Sequence, residues 1–401
     1  MSSRNNPQSS RRSFVQALGA ALPAAGSVLQ GAQASAGRFI ENVTFEERPA
    51  LLLSNDKLQL TVLKTGGAMA DLILSDDAEK LSPMWNRTRM ERESGQKPSP
   101  GFSIGHFVCV DGFGPVSQEE RGAGMPGHGE AHTLPWEMRY SGKEGRTATA
   151  SFTVRLPLVQ ETFTRTLRMV DGENVVYVES ELENLLAFDR PVCWAEHATI
   201  GSPFLEPGVT VVDMSARRAR VRPYPAKPGP MVRRLKSAAD FTWPTAPGAS
   251  GGKIDLRAAV LNAMGHTTCL MDPSRKQVFV TALHPGKGLV LGYVFHREEF
   301  PWLQSWENYP PTGKLARGLE FSTQPFDVSR REAVQTGTMF DTPTYRWLPA
   351  KSKIGARFLM FYARTPEGMN RVDDVRHEGG QLIVEDRKAR KQITLAASLP
   401  L

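Results

Sequence analysis

The sequence predicts an all-β fold, a large antiparallel β-sandwich, on three observations. Apolar and polar residues alternate with period two along many short stretches, as in half-buried strands. Convincing helical periodicity is almost absent after residue 37. Turn formers are plentiful, with 35 glycines and 29 prolines in 401 residues, which suits a loop-rich β chain.

The strands follow in order. "TATASFTVRL" (147–156) and "ETFTRTLRMV" (161–170) alternate cleanly. "NVVYVESELEN" (174–184) sets Val176, Val178 and Leu182 against Tyr177, Glu179, Glu181 and Glu183, one face apolar and the other polar. Asp171-Gly172 between the last two is a hairpin turn signal. "KQVFVTAL" (276–283), "GLVLGYVF" (288–295) and "ARFLMFY" (356–362) are apolar runs of β-formers, and 380–398 reads as a terminal hairpin around a charged turn. "LRAAVLNAM" (256–264) is the best helical stretch. The Pro/Gly/Ser-rich segment 223–253 reads as a long insertion loop. No fixed-period repeat is visible, which counts against a propeller. A single sandwich domain over 37–401 is expected.

Residues 1–36 differ from the rest. Arg11-Arg12, then Phe14, a weakly apolar Ala/Gly/Leu run and the small residues Ala34-Ser35-Ala36 form an n-region, an h-region and an A-x-A cleavage site. The arginine pair predicts twin-arginine export, and so the periplasm. The segment carries Arg4, Arg11 and Arg12 and no acid, so the remainder is only mildly basic. The scattered basic runs lack interleaved aromatics, which argues against a nucleic-acid partner. No later stretch has the roughly eighteen apolar residues of a membrane helix. Cys109, Cys193 and Cys269 are isolated, with no C-x-x-C spacing, and are expected as buried free thiols.

Three constellations carry chemistry. In "PGHGEAHTLPWEM" (126–138), His128, Glu130 and His132 share a face if the segment is extended. That arrangement is a partial divalent-metal site, a sugar-handling site or a structural polar loop, and the residues alone leave all three open. His197 in "CWAEHATIGSPF" follows strand-like sequence. Glu320 in "GLEFSTQPFD" sits between Leu319 and Phe321 and, on a strand, faces away from both. Near aromatic side chains its pKa would rise toward the working range of a general base.

Together, and in this order on an all-β background, these stretches resemble the aldose 1-epimerase (galactose mutarotase-like) superfamily. "KTGGAMADLIL" (64–74) is similar to an early glycine-alanine strand of that family, and the resemblance covers most of 45–365. It implies a β-supersandwich, most often monomeric, that binds a carbohydrate in an open groove. It implies His197 as general acid, Glu320 as general base and His128 as the group near the ring oxygen. His132, Glu130, Trp136 and Trp306, with Arg87 and Arg89 in "SPMWNRTR", are the expected substrate contacts. Trp302, Trp306 and Tyr309 supply rings that could stack on a sugar or pack in the core. Such chemistry calls for no cofactor; a divalent metal on His128, Glu130 and His132 is the alternative. Glu130 and His132 depart from the aromatic and arginine more usual after the family's HG.

Overall fold

The strands predicted from alternation form because their apolar face has a partner to bury against. In this computed structural model the described residues are 39–98, 104–224 and 232–401, with side chains from residue 43 onward. The predicted export signal at 1–36 lies outside the described residues. Among the described residues, one mixed but mainly antiparallel sheet has 15 strands and a second, antiparallel, has eight. Thr147–Leu156, Glu161–Val170 and Val175–Asn184 are consecutive in the second sheet and pair antiparallel. Gly172 turns between the last two with φ +89°, a conformation glycine adopts without strain.

The inner faces of both sheets meet in one continuous core. Leu60, Val108, Trp194 and Ile200 of the first sheet pack with Phe152, Phe163, Leu182 and Tyr293 of the second. An ionic cluster is embedded there. Arg165 Nη2 lies 2.5 Å from Glu196 Oε1, and His106 Nε2 lies 2.9 Å from Glu196 Oε2. Trp194 Nε1 donates to Glu196 Oε1 at 3.1 Å. The Arg165 guanidinium and the Glu196 carboxylate offset each other's charge, which is the condition for keeping such groups out of water.

A three-stranded sheet, Asp374–Glu378, Gln381–Asp386 and Lys391–Ala396, contains the predicted terminal hairpin. Its apolar residues Val375, Leu382 and Val384 cover Val170, Tyr177, Phe279 and Val290 on the outer face of the eight-stranded sheet. Tyr177, assigned by alternation to the polar face, is therefore buried.

Two sequence expectations are corrected. Residues 256–264 form no helix: Asn262 takes φ +54°, and the segment leads into the Ala263–Met271 strand. Local propensity yields there to tertiary contacts, such as the Arg317 guanidinium donating to the Arg257 carbonyl. The described part of 223–253 is no loose loop. Asp240–Thr242 and Thr245–Pro247, with Lys253–Asp255 just beyond, extend the edge of the first sheet, and Leu235, Trp243 and Ala246 join the main core. Cys109, Cys193 and Cys269 are buried free thiols, as expected.

Candidate functional site

Strand Trp194–Gly201 runs through the middle of the first sheet. Its alternate residues Trp194, Ala198 and Ile200 enter the core, so Ala195, His197 and Thr199 face the other way. His106–Val110 pairs with it so that Phe107 is directly opposite His197. On its other side lies Glu320–Ser322, with Leu319 and Phe321 in the core and Glu320 on the outer face. One strand further, Gln304 lies opposite Glu320 and His266 opposite Trp306. Register alone thus gathers Phe107, His197, Glu320, Trp306 and His266 on one face.

These side chains line a cleft of about 320 Å³, together with Trp85, Arg87, Phe113, His128, His132 and Asp327. That size is at the small end of ligand sites. His197 Nε2 lies 3.4 Å from Glu320 Oε1. The His197 ring stacks on Phe107 with centroids 4.2 Å apart and planes at 18°. Its Nδ1 lies 3.0 Å from Thr199 Oγ1. A Cβ at Gly318 would sit 2.0 Å from Glu320 Oε1, so glycine there makes room for the carboxyl.

The loop 126–132 supplies two further imidazoles. His128 takes φ +66°, rare outside glycine, and its Nδ1 accepts from Gly114 N at 3.2 Å. Gly129 takes φ +77°, and a Cβ there would lie 2.1 Å from the Val110 carbonyl oxygen. The loop is therefore docked tightly against the His106–Val110 strand. The His128 ring comes edge-on to His197 at 5.2 Å, and His132 Nε2 hydrogen-bonds the Gly127 carbonyl at 2.8 Å.

Burial dominates the electrostatics. It pushes the Glu320 carboxyl well above its ordinary pKa, with nearby Asp327 adding to the rise. It holds His197 well below the usual imidazole value, reinforced by His128. His128 falls to about 4 through burial and then the proximity of His132. His132 and His266 are lowered, chiefly by burial. Burial thus disfavours the charged form of both partners, pushing the carboxyl toward its protonated form and the imidazole toward its neutral one.

The sequence-predicted residues divide into two groups. His197, Glu320, His128, His132, Trp306 and Arg87 all line the cleft. Glu130, Trp136 and Arg89 do not. The positive φ values at 128 and 129 break the extended geometry that would align Glu130 with the histidines. Glu130 instead turns inward and accepts from the amides of Leu158 and Val159 at 3.0 and 3.2 Å. The proposed metal set of His128, Glu130 and His132 is thus not assembled, and among the described residues no group of three or more His, Cys, Asp or Glu is placed to hold a metal ion. Trp136 is buried against Phe163, its Nε1 donating to the Ala131 carbonyl at 2.8 Å. Arg87 and Arg89 sit on a helix, Arg87–Glu93, where a two-residue step rotates a side chain about 200°. Only one of them can face the cleft. Trp302 and Tyr309 are core residues, while Trp306 meets Trp85 edge-on at 5.9 Å.

Trp85, Phe107, Phe113, His266 and Asp327 were not singled out from sequence. Asp327 lies in the same quoted stretch as Glu320, and His266 stands alone in an apolar strand. The strand register that brings them to the cleft is not written in any local pattern.

The fold and site define a β-sandwich with an imidazole–carboxyl pair in an aromatic-walled cleft on one outer face. No protein-family model and no curated protein matches the sequence. Solved structures do match by shape. A galactose mutarotase-like protein from Clostridium acetobutylicum superposes with TM-score 0.57 at 12% identity, over 82% of this chain and 99% of that one. A candidate aldose 1-epimerase from Klebsiella pneumoniae gives 0.58 at 14%, over 80% and 82%. A galactose mutarotase related enzyme from Lactobacillus acidophilus gives 0.53 at 12%, over 78% and 97%. The chain therefore has the galactose mutarotase-like fold.

Proposed function

We propose that this protein is an exported, periplasmic carbohydrate-active enzyme that interconverts the anomers of an aldose by general acid–base catalysis. The observation that carries the proposal is the 3.4 Å approach of His197 Nε2 to Glu320 Oε1 at the wall of a cleft of monosaccharide size. Ring opening needs a base for the anomeric hydroxyl proton and an acid for the ring oxygen. The pair supplies one of each: the family resemblance implies Glu320 as the base and His197 as the acid. The ring C–O bond breaks as the carbonyl forms, leaving the hydroxyl proton on the base and the acid's proton on the former ring oxygen. Closure on the other face of the carbonyl returns both protons, so each group serves in both directions.

His128 and His132 border the pair and are kept neutral by burial, so they are suited to hydrogen-bond sugar oxygens. Trp85 and Trp306 offer apolar ring faces to the carbohydrate. The chemistry calls for no cofactor and no nucleic-acid partner, and one chain holds every group it uses. Polarimetry of fresh α-glucose and α-galactose tests the reading. The purified protein should accelerate the rotation change, and Glu320→Gln and His197→Asn should each slow it roughly 100-fold or more. An unchanged rate with retained sugar binding would reduce the protein to a binding role on the same fold.

A further inference from the structure

Asp327 stands on the cleft wall with its two carboxylate oxygens in different surroundings. Oδ1 is buried, with Arg222 Nε at 3.1 Å and His266 Nδ1 at 3.3 Å. Arg222 Nη2 also donates to the Asp327 carbonyl at 3.0 Å, so one guanidinium holds both the side chain and the main chain. Oδ2 has no hydrogen-bond partner among the described residues, while the side chain as a whole is 18% exposed. A Cβ at Gly114 would sit 2.6 Å from Asp327 Cβ and 2.9 Å from Oδ2, so glycine keeps that side clear.

The neighbouring imidazole has no hydrogen to spare for a ligand. Gln304 Nε2 donates to the Gln324 carbonyl at 3.2 Å, and because a carbonyl only accepts, that contact fixes which way the amide points. Gln304 Oε1 therefore faces His266 Nε2 at 2.9 Å, and an amide oxygen also only accepts, so Nε2 carries a hydrogen. His266 Nδ1 is then either bare or bonded to Asp327 Oδ1, and in both states this part of the wall offers acceptors and no imidazole N–H. We propose that Asp327 is a specificity-determining residue: Oδ1 is anchored at the back by Arg222 and His266, and Oδ2 takes the hydrogen of one hydroxyl of the bound sugar.

The proposal rests on a sugar occupying the cleft, as in the function proposed above, and not on its turnover. A hydroxyl brings the hydrogen that the wall lacks; a deoxy carbon at the same place brings none and leaves the carboxylate oxygen unpaired. Hydrogen bonds to a charged group are the stronger kind, and the loss of one corresponds to roughly 10- to 150-fold in affinity.

Calorimetry and polarimetry of the full chain with glucose and its deoxy forms at C2, C3, C4 and C6 test this. At least one deoxy form should bind the intact protein roughly 10- to 150-fold more weakly than glucose. Asp327→Ala should close that gap and leave the gaps at other positions as they were. Asp327→Asn, in which a neutral group replaces the charged acceptor, should narrow it roughly fivefold or more. Equal binding of glucose and every deoxy form by the intact protein, or unchanged gaps in Asp327→Ala, overturns the proposal. The expected binding pattern without any faster change of rotation would support it and sink the functional reading instead. Binding of no sugar sinks both. If Asp327→Ala does not fold, Asp327→Asn makes the comparison, and an unchanged gap there is equally decisive against the proposal.

Discussion

His197 Nε2 and Glu320 Oε1 stand 3.4 Å apart because two neighbouring strands of one sheet each turn a polar side chain to the same outer face. Both residues are almost wholly buried, and their surroundings push their affinities for protons in opposite directions. Several measurable consequences follow from that pair and from the parts that hold it.

The first concerns alkaline stability. Glu320 has a folded-state pKa above its unfolded one, so its favourable contribution is complete below the unfolded value, about 4.3. It is lost as pH rises toward the folded value. Glu320→Gln, which stays neutral, should therefore gain stability relative to the parent as pH rises above about 4.3. Thermal melts of both proteins across that range would show it; parallel pH profiles would contradict it.

Histidine 128 gives the opposite trend. Its folded pKa, about 4, lies below the unfolded value of about 6.5, so its contribution is present above 6.5 and is lost as pH falls toward 4. The full shift corresponds to at most about 3 kcal/mol. His128→Asn tolerates the positive φ and retains an acceptor for Gly114 N. That variant should lose less stability than the parent between pH 6.5 and 4, as followed by chemical denaturation at several pH values.

Glu130 is a loop anchor. Glu130→Ala leaves the amides of Leu158 and Val159 without their acceptor and should cost about 1–3 kcal/mol. Elemental analysis should show the same metal content before and after the substitution. A stoichiometric divalent ion lost on mutation would revive the metal reading.

The ionic cluster of Arg165, Glu196 and His106 lies in the core behind the strand that carries His197. Removing one partner, as in Glu196→Gln, leaves a buried guanidinium uncompensated and should cost about 3–5 kcal/mol. Pairing that change with Arg165→Met should recover part of the loss. Equal melting temperatures for the single and double variants would refute the coupling.

Much of the fold was legible in the sequence, and the reason is local. A strand with one buried face repeats every two residues, so 147–156, 161–170 and 175–184 declared themselves. The same logic put Glu320 on the face opposite Leu319 and Phe321. It failed where a second layer intervened. Tyr177 looked outward until the C-terminal sheet covered it. It failed also where the backbone left the extended region, as at His128 and Gly129, which sent Glu130 into the interior.

By itself, then, the sequence determined the all-β class, the position of most strands, and six of the cleft residues, because periodicity and side-chain chemistry are properties of short segments. The tertiary structure alone decided which strands became neighbours, and so which distant residues share a wall. It brought Phe107 under His197, His266 beside Trp306 and Thr199 onto Nδ1. The physical cause is that strand register is selected by burial summed over two whole sheets, a quantity no single stretch contains.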